Sequence, residues 1–177
     1  MTEEGILIRK CKKAVPAAQK ELYQKYRSQW FMICLRYSRR RADALDILQN
    51  SLIKIFMKIK QFDENYGSFI AWSSRIVVNE SIMFLRKQMK YMTTEELTDS
   101  YYDMAEEDQS FESLDSKVLT KLVQRLPDGY RLVFNLYAIE GYTHKEIASI
   151  LEISVGTSKS QYFKAKNMLR KQIEVLI

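Results

Sequence analysis

The chain has few of the residues that build metal centres, disulfide bonds and catalytic sites. Its 177 residues include two cysteines, one histidine, five glycines and two prolines. Cys11 and Cys34 have no cysteine or histidine close by in sequence, so no metal motif is indicated, and Cys34 is expected to be a small buried side chain on a helix. His144 is expected to be exposed rather than catalytic. Since a carboxylate cluster and a glycine-rich phosphate loop are also missing, we predict no catalytic residue, metal, cofactor or small-molecule substrate.

Long apolar segments are missing as well. No apolar run approaches the roughly 18 residues that a membrane-spanning helix requires, and the first ten residues lack the apolar core of a signal peptide. A cytoplasmic protein is therefore expected. The hydrophobic fraction of 46% is nevertheless enough to form a core, which excludes a disordered chain.

Charge is unevenly distributed along the chain. The sequence has 28 basic and 22 acidic residues, a formal net charge of +6 and a pI near 9.2. Residues 93–116 contain nine acidic residues and no lysine or arginine, so the rest of the chain carries +15. This balance suits a polyanionic partner such as nucleic acid. The acidic stretch has the composition of an extended linker, because its like charges repel one another.

The stretch 141–166, GYTHKEIASILEISVGTSKSQYFKAK, has the pattern of two short helices joined by a tight turn. Thr143 and Glu146 form a capping-box pattern that predicts a helix start at Thr143, and Ser154 can cap the second helix. The second helix is predicted to present small polar and basic side chains: Thr157, Lys159, Ser160, Gln161 and Lys164. This pattern is typical of a helix-turn-helix, whose second helix enters the major groove. The alternative is an ordinary helical hairpin with a solvated face.

Helical periodicity accounts for the remaining segments, and none of them alternates as a strand does. After a basic, loosely held start, helices are predicted over about 17–38, 42–60 and 69–90, then over 114–126 and 130–139. Buried faces are expected at Leu45, Leu48, Leu52, Ile55 and Ile59, and at Phe69, Trp72, Ile76, Met83 and Leu85 or positions next to them. We predict an all-α fold of two small helical domains, 1–92 and 113–177, joined by an acidic flexible linker at 93–112.

A second stripe on the helix predicted at 42–60 is unlike a plain solvated face. It combines a carboxylate, two amides and two apolar side chains: Asp46, Gln49, Asn50, Ile53 and Met57. Such a mixture favours a protein-docking surface. The alternative is one extra core contact for Ile53.

Aromatic residues lie before and at the start of the helix predicted at 69–90, and basic residues lie near its end. Phe62 lies in a polar loop before it, Trp72 in its first turns, and Arg86, Lys87 and Lys90 near its end. Aromatic rings can stack on unpaired bases while cations bind phosphates. The alternative is a core tryptophan and a solvated helix end.

Several of these segments, in this order, resemble bacterial sigma factors of the extracytoplasmic-function (ECF) group. The resemblance spans about residues 18–173. Asp43-Ala44 with Asp46-Ile47-Leu48-Gln49, then Phe69-x-x-Trp72-x-x-x-Ile76-x-x-Asn79 and Leu85-Arg86-Lys87, resemble region 2 of that family. Leu126-Pro127, Arg131-x-Val133-Phe134, Glu140-Gly141-Tyr142-Thr143, Glu146-Ile147-Ala148 and Ile153-Ser154-x-Gly156-Thr157-x-Lys159-Ser160 resemble its region 4.

The resemblance implies an alternative sigma factor that directs RNA polymerase core to promoters and assists promoter opening. It also implies sequestration by a membrane anti-sigma factor. Polymerase binding is expected at Asp46, Gln49, Asn50 and Ile53. Binding of the melted minus-10 element is expected at Phe62, Trp72, Arg75, Ile76, Asn79, Arg86 and Lys87. Binding of the duplex minus-35 element is expected at Thr157, Lys159, Ser160, Gln161 and Lys164.

Three positions depart from the family pattern. Asn50 stands where the family often has Glu, and Ser158 and Gln161 stand where it commonly has Val and Arg. Ser158 falls on the apolar stripe of the second helix, so it is expected to be half-buried with its hydroxyl on a backbone carbonyl. Gln161 is expected to exchange phosphate affinity for reading of a base edge.

The alternative to a sigma factor is a free-standing helix-turn-helix regulator that binds duplex DNA as a dimer. Such a regulator needs no docking stripe, no aromatic pocket beside a basic helix and no acidic tether. The N-terminal half therefore favours the sigma factor.

Overall fold

The computed structural model describes residues 2–91 and 114–174, and its regular elements are helices. The helices are α1 (Glu3–Lys12), α2 (Pro16–Tyr37), α3 (Arg41–Lys58), α4 (Phe69–Tyr91), α5 (Leu114–Gln124), α6 (Asp128–Phe134), α7 (His144–Leu151) and α8 (Val155–Glu174). Two 3-10 turns, Ile59–Gln61 and Glu64–Tyr66, separate α3 from α4, and a π-helical segment, Asn135–Ile139, follows α6. The all-α prediction is confirmed. The linker predicted at 93–112 lies outside the described residues.

The N-terminal segment is a packed helix, so the prediction of a loosely held start is wrong. The side chain of Thr2 caps α1 by accepting a hydrogen bond from the Gly5 amide at 3.1 Å. Leu7, Ile8 and Cys11 are buried, because their spacing places them on one helical face against α2. Pro16 then occupies the first turn of α2, where its missing N–H costs nothing.

The three long helices α2, α3 and α4 pack around Trp30. This indole is fully buried, and its N–H donates to the hydroxyl of Ser73 at 3.0 Å. Tyr26 and Phe69 contact its ring, with centroid distances of 5.6 Å and 6.4 Å. Cys34 is also buried, as predicted.

The buried faces of α3 and α4 differ from the predicted ones at two positions. Leu45 is 47% exposed and Met83 is 59% exposed. Small or β-branched residues lie inside instead, at Ala44, Ile47 and Ser51 on α3 and at Ser73, Val77, Val78, Ser81 and Ile82 on α4. Small residues allow close approach of neighbouring helices, and the Ser51 hydroxyl donates to the Ile47 carbonyl at 2.7 Å, so its burial leaves no unpaired donor.

The C-terminal half builds a second core between α5 and α8, with Leu122, Val123, Leu126, Ala165 and Leu169 buried. It also contributes Leu132, Val133, Leu136 and Ile147 to the larger hydrophobic cluster of the N-terminal helices. The two halves are therefore in contact. None of the helices in the described ranges is both long and apolar enough to cross a bilayer.

Candidate polymerase and nucleic-acid interfaces

The mixed stripe of α3 is open to solvent. Asp46, Gln49 and Asn50 are exposed, and Ile53 is 54% exposed. The structure therefore excludes the alternative of an extra core contact for Ile53. Leu45 and Met57, at 47% and 76% exposure, widen the apolar part of the same surface. Met57 belonged to the predicted stripe, whereas Leu45 was assigned to the core.

An aromatic cluster lies where α3 leads into α4. The ring of Phe62 is 5.3 Å from Phe69 and 5.5 Å from Trp72, and Phe69 and Trp72 are 5.6 Å apart. Phe62 is only 5% exposed, so its ring is part of the core rather than an open stacking platform. Lys12 of α1 holds this loop, since its ammonium donates to the Phe62 carbonyl at 2.6 Å. Trp72 is half-buried.

One face of α4 carries the other residues of the predicted minus-10 set. Arg75, Asn79 and Lys87 are exposed, and Ile76 and Arg86 are half-buried. Their spacing of three and four residues from Trp72 places them along one side of the helix. Sequence reasoning missed Tyr66, which is 91% exposed in the loop before α4. The position of this aromatic residue in a polar loop could have predicted its exposure from the sequence.

Arg86 is engaged within the chain. Its guanidinium donates to the Ile150 carbonyl at 3.0 Å and to the Glu152 carboxylate at 2.5 Å, both at the end of α7. Glu152 is able to close α7 because it adopts a left-handed conformation, with φ of 56°. One cation of the predicted minus-10 set is thus paired with the helix-turn-helix.

The helix-turn-helix has the predicted capping. Thr143 and Glu146 form the capping box at the start of α7, and hydrogen bonds from Thr143 lower the pKa of the Glu146 carboxyl. The Ser154 hydroxyl accepts from the Thr157 amide at 2.9 Å and so caps α8. Ile147 and Ala148 are buried between the helices.

The five predicted minus-35 residues divide into two groups. Lys159, Ser160 and Lys164 are exposed on α8. Thr157 and Gln161 are half-buried: the Thr157 hydroxyl lies 2.8 Å from that of Ser154, and the Gln161 amide packs against Gly129 at the start of α6. Phe163, 65% exposed, shares the open face and was missed.

Ser158 and His144 correct two further predictions. Ser158 is fully buried rather than half-buried. Its hydroxyl is hydrogen-bonded to Nδ1 of His144 at 2.9 Å, not to a backbone carbonyl. His144 is half-buried rather than exposed. Its pKa is lowered mainly by desolvation and to a smaller extent by the positive charge of the nearby Lys159.

No group of three or more histidine, cysteine, aspartate or glutamate residues in the described segments is placed to hold a metal ion. What the structure brings together is an exposed stripe of polar and apolar side chains on α3, a partly open aromatic and basic face on α4, and a polar and basic face on α8. These three exposed or partly exposed faces are the candidate binding surfaces of the chain.

Comparison with known protein families matches two parts of the chain to two regions of the sigma-70 family. The family "Sigma-70 region 2" matches residues 22–91, and "Sigma-70, region 4" matches residues 116–169. The ECF RNA polymerase sigma factor SigW of Bacillus subtilis is 30% identical over 180 residues, covering 96% of each chain. SigM of the same organism is 27% identical, covering 85% of this chain and 91% of that protein.

Solved structures share the fold. The sigma factor RpoE of Bartonella quintana, crystallised with the anti-sigma factor NepR, has a TM-score of 0.54 and 22% identity and covers 88% of this chain and 96% of that one. CnrH in complex with the cytosolic domain of CnrY has a TM-score of 0.50 and 19% identity, covering 96% of both chains.

The chain belongs to the ECF group of the sigma-70 family of RNA polymerase sigma factors. Its function is to direct RNA polymerase to promoters in transcription initiation, as a regulatory transcription factor.

Proposed function

We propose that this sigma factor works as a non-enzymatic cytoplasmic subunit with one surface for polymerase and two for promoter DNA. Residues 1–92 serve as the region 2-like domain, 113–177 as the region 4-like domain, and 93–112 connect them. The main observation in support of separate polymerase and DNA surfaces is the exposed stripe of α3, where polar and apolar side chains share one open face.

Polymerase core binds the stripe of Asp46, Gln49, Asn50 and Ile53. The amides and the carboxylate supply directional hydrogen bonds, and Ile53 supplies apolar area at the centre of the contact. Leu45 and Met57 extend that apolar area, since both are exposed beside the stripe. Asn50 differs from the family's usual Glu, so its contact is neutral in this chain.

The melted minus-10 element binds along α4. Trp72, Ile76 and Asn79 line the site, with Phe62 as its buried floor, because the rings of Phe62 and Trp72 are in contact. Arg75, Arg86 and Lys87 bind the phosphates on the same face. Arg86 becomes available when it leaves Glu152. Tyr66, the exposed ring of the loop, adds a stacking surface for an unpaired base.

The duplex minus-35 element binds to α8. Lys159 and Lys164 contact phosphates, and Ser160 faces the base edges. Gln161 and Thr157 are half-buried, so they act closer to the rim of this surface. The side-chain amide of Gln161 contacts a base edge from its position beside Gly129.

An anti-sigma factor is proposed as a further partner, one held at the membrane. RpoE of Bartonella quintana was solved with the anti-sigma factor NepR, and its fold is that of this chain.

The docking assignment is tested with the double variant Asp46→Ala, Gln49→Ala and purified core polymerase. Loss of two hydrogen-bonding side chains at an interface is expected to weaken core binding about tenfold or more. Thermal unfolding is expected to be unchanged, since both side chains are exposed. The measurement is titration of labelled protein with core, followed by transcription from a promoter library.

A matched control is Glu21→Ala with Gln24→Ala, an acidic and an amide residue at the same spacing on α2, both exposed. The control is expected to bind core as the unmodified chain does. Equal core affinity for the α3 and α2 variants would remove the α3 stripe from the interface.

A further inference from the structure

The two helices of the helix-turn-helix are joined by a partly buried hydrogen bond. His144 is the first residue of α7, and Ser158 lies at the end of the first turn of α8. Nδ1 of His144 and Oγ of Ser158 are 2.9 Å apart. Because Ser158 is fully buried, loss of this partner would leave its hydroxyl without compensation for the water it gave up.

The imidazole is itself held by two tyrosine rings. Tyr137 stacks on His144, with ring centroids 4.2 Å apart and planes inclined by 14°. Tyr162 of α8 contacts both, at 4.5 Å from Tyr137 and 5.9 Å from His144. These rings restrict the orientation of the imidazole and therefore the direction of Nδ1.

Tyr137 comes from the π-helical segment that follows α6. This segment, Asn135–Ile139, departs from α-helical winding, a feature that occurs often at functional sites. Three consecutive elements thus meet at His144: the π-helical segment through Tyr137, α7 through its first residue, and α8 through Ser158.

We infer that His144 is a positioning residue for promoter recognition: through Ser158 it fixes the first turn of α8 relative to α7. Lys159 and Ser160 follow Ser158 directly and are exposed, so rotation of this turn would move both. A hydrogen bond constrains direction, whereas apolar contact tolerates sliding. The inference rests on the proposed role of α8 in binding the minus-35 duplex.

Four single variants and one double variant separate the hydrogen bond from the ring packing. His144→Phe keeps a ring for Tyr137 and removes Nδ1. His144→Asn removes the ring and keeps a hydrogen-bonding atom at the δ position, whereas His144→Gln places its amide one atom further out. Ser158→Ala removes the hydroxyl, and His144→Phe combined with Ser158→Ala completes a double-mutant cycle.

The experiment uses full-length protein bound to core polymerase and two duplex probes of equal length. One probe carries the minus-35 sequence most enriched from a random duplex library by the unmodified holoenzyme, and the other carries a scrambled sequence. The ratio of the two affinities measures recognition, while thermal unfolding of each variant is followed separately. A merely structural defect lowers the folded fraction and affects both probes alike.

His144→Phe, His144→Gln and Ser158→Ala are each expected to lower the affinity ratio about three- to tenfold, as expected for one lost hydrogen bond. The double variant should lose no more than either single one, and His144→Asn should retain the ratio within about twofold. Equal ratios for His144→Gln and His144→Asn, additive losses, or an unchanged ratio in His144→Phe would overturn the inference.

Lys159→Ala in the same assay distinguishes failure of the positioning role of His144 from failure of the proposed binding of α8 to the minus-35 duplex. Removal of a phosphate contact is expected to weaken both probes by a similar factor. If Lys159→Ala changes neither affinity, α8 does not bind the duplex and both proposals fall. If it weakens both while His144→Phe leaves the ratio unchanged, only the positioning role falls.

Discussion

Arg131 is a buried cation that joins three neighbouring parts of the chain. Its guanidinium donates to the carbonyls of Gln124 and Leu126 at 3.1 Å and 3.0 Å and to the Asp128 carboxylate at 2.5 Å. Burial lowers its pKa to about 10, although Asp128 opposes that shift. The group therefore stays charged at neutral pH, and it fixes the turn at Pro127 between α5 and α6.

Ala14, unlike Arg131, matters for its backbone conformation rather than for its contacts. Its φ of 57° lies in the left-handed region, which favours glycine. Ala14→Gly is expected to raise the free energy of unfolding by about 0.5–1 kcal/mol, since relief of the Cβ strain exceeds the added freedom of the unfolded chain. Urea denaturation measures this change.

The matched control for Ala14 is Ala17→Gly, an exposed alanine in the first turn of α2. There the backbone is right-handed, so glycine is expected to cost about 0.5–1 kcal/mol. If both glycine variants destabilise the protein equally, the conformation of Ala14 carries no strain.

At the scale of elements, short helices depend on their ends. α7 has only eight residues, fewer than an isolated helix needs to be stable in water. It is held by the capping box at Thr143 and by burial of Ile147 and Ala148. The π-helical segment before it and the cap at Ser154 after it define the rest of the helix-turn-helix geometry.

Thr143→Ala is expected to destabilise the C-terminal half by about 1 kcal/mol, because the Glu146 amide loses its acceptor. Amide hydrogen exchange of α7 measures the effect locally, and faster exchange in its first turn is the expected result. Ser149→Ala, an exposed position within the same helix, is the control and should leave exchange unchanged or slower. Indistinguishable exchange in the two variants would show that the cap contributes nothing.

At the scale of the whole molecule, polar contacts join the two halves at the C-terminal end of α2. The Gln124 amide donates to the carbonyls of Leu35 and Ser38 at 3.0 Å and 3.3 Å, and the Asn135 amide donates to that of Arg36 at 2.8 Å. Ion pairs join Arg36 to Glu140 and Arg39 to Asp128, each at 3.0 Å. The α3 stripe is exposed in this arrangement, whereas the guanidinium of Arg86 is paired with the Glu152 carboxylate.

Gln124→Ala is expected to loosen this arrangement, because the last carbonyls of α2 lose their donor. Pulsed electron-spin distance measurement between labels at Gln24→Cys and Ser149→Cys detects it, since both sites are exposed and the native Cys11 and Cys34 are buried. A broader distribution shifted to longer distances is expected.

Lys121→Ala, one turn earlier on α5 and exposed, provides the control for Gln124 and should leave the distances unchanged. An unaltered distribution in Gln124→Ala would mean that the Gln124 contact does not hold the halves together.

Local patterns predicted most of the helices, and most of the residues proposed as binding sites are exposed or partly exposed. Helix periodicity, Pro16, the capping box at Thr143 and the cap at Ser154 act over a few residues, so they can be read from neighbouring letters. The same patterns failed at Leu45 and Met83, because two or three partner helices together decide how wide a buried face is. Phe62 was predicted to be available to a base, but its ring packs into the cluster of Phe69 and Trp72.

The sequence alone determined the helical class and the stripe of polar and apolar side chains on α3, since these follow from short-range spacing and residue chemistry. The order of the two sigma-factor regions followed from motifs that resemble those of the family. Only the tertiary structure decided that Ser158 is paired with His144 and that Arg86 is paired with Glu152. The paired residues are 14 and 66 positions apart in sequence. Such contacts depend on how helices pack, and no local pattern in the chain specifies that packing.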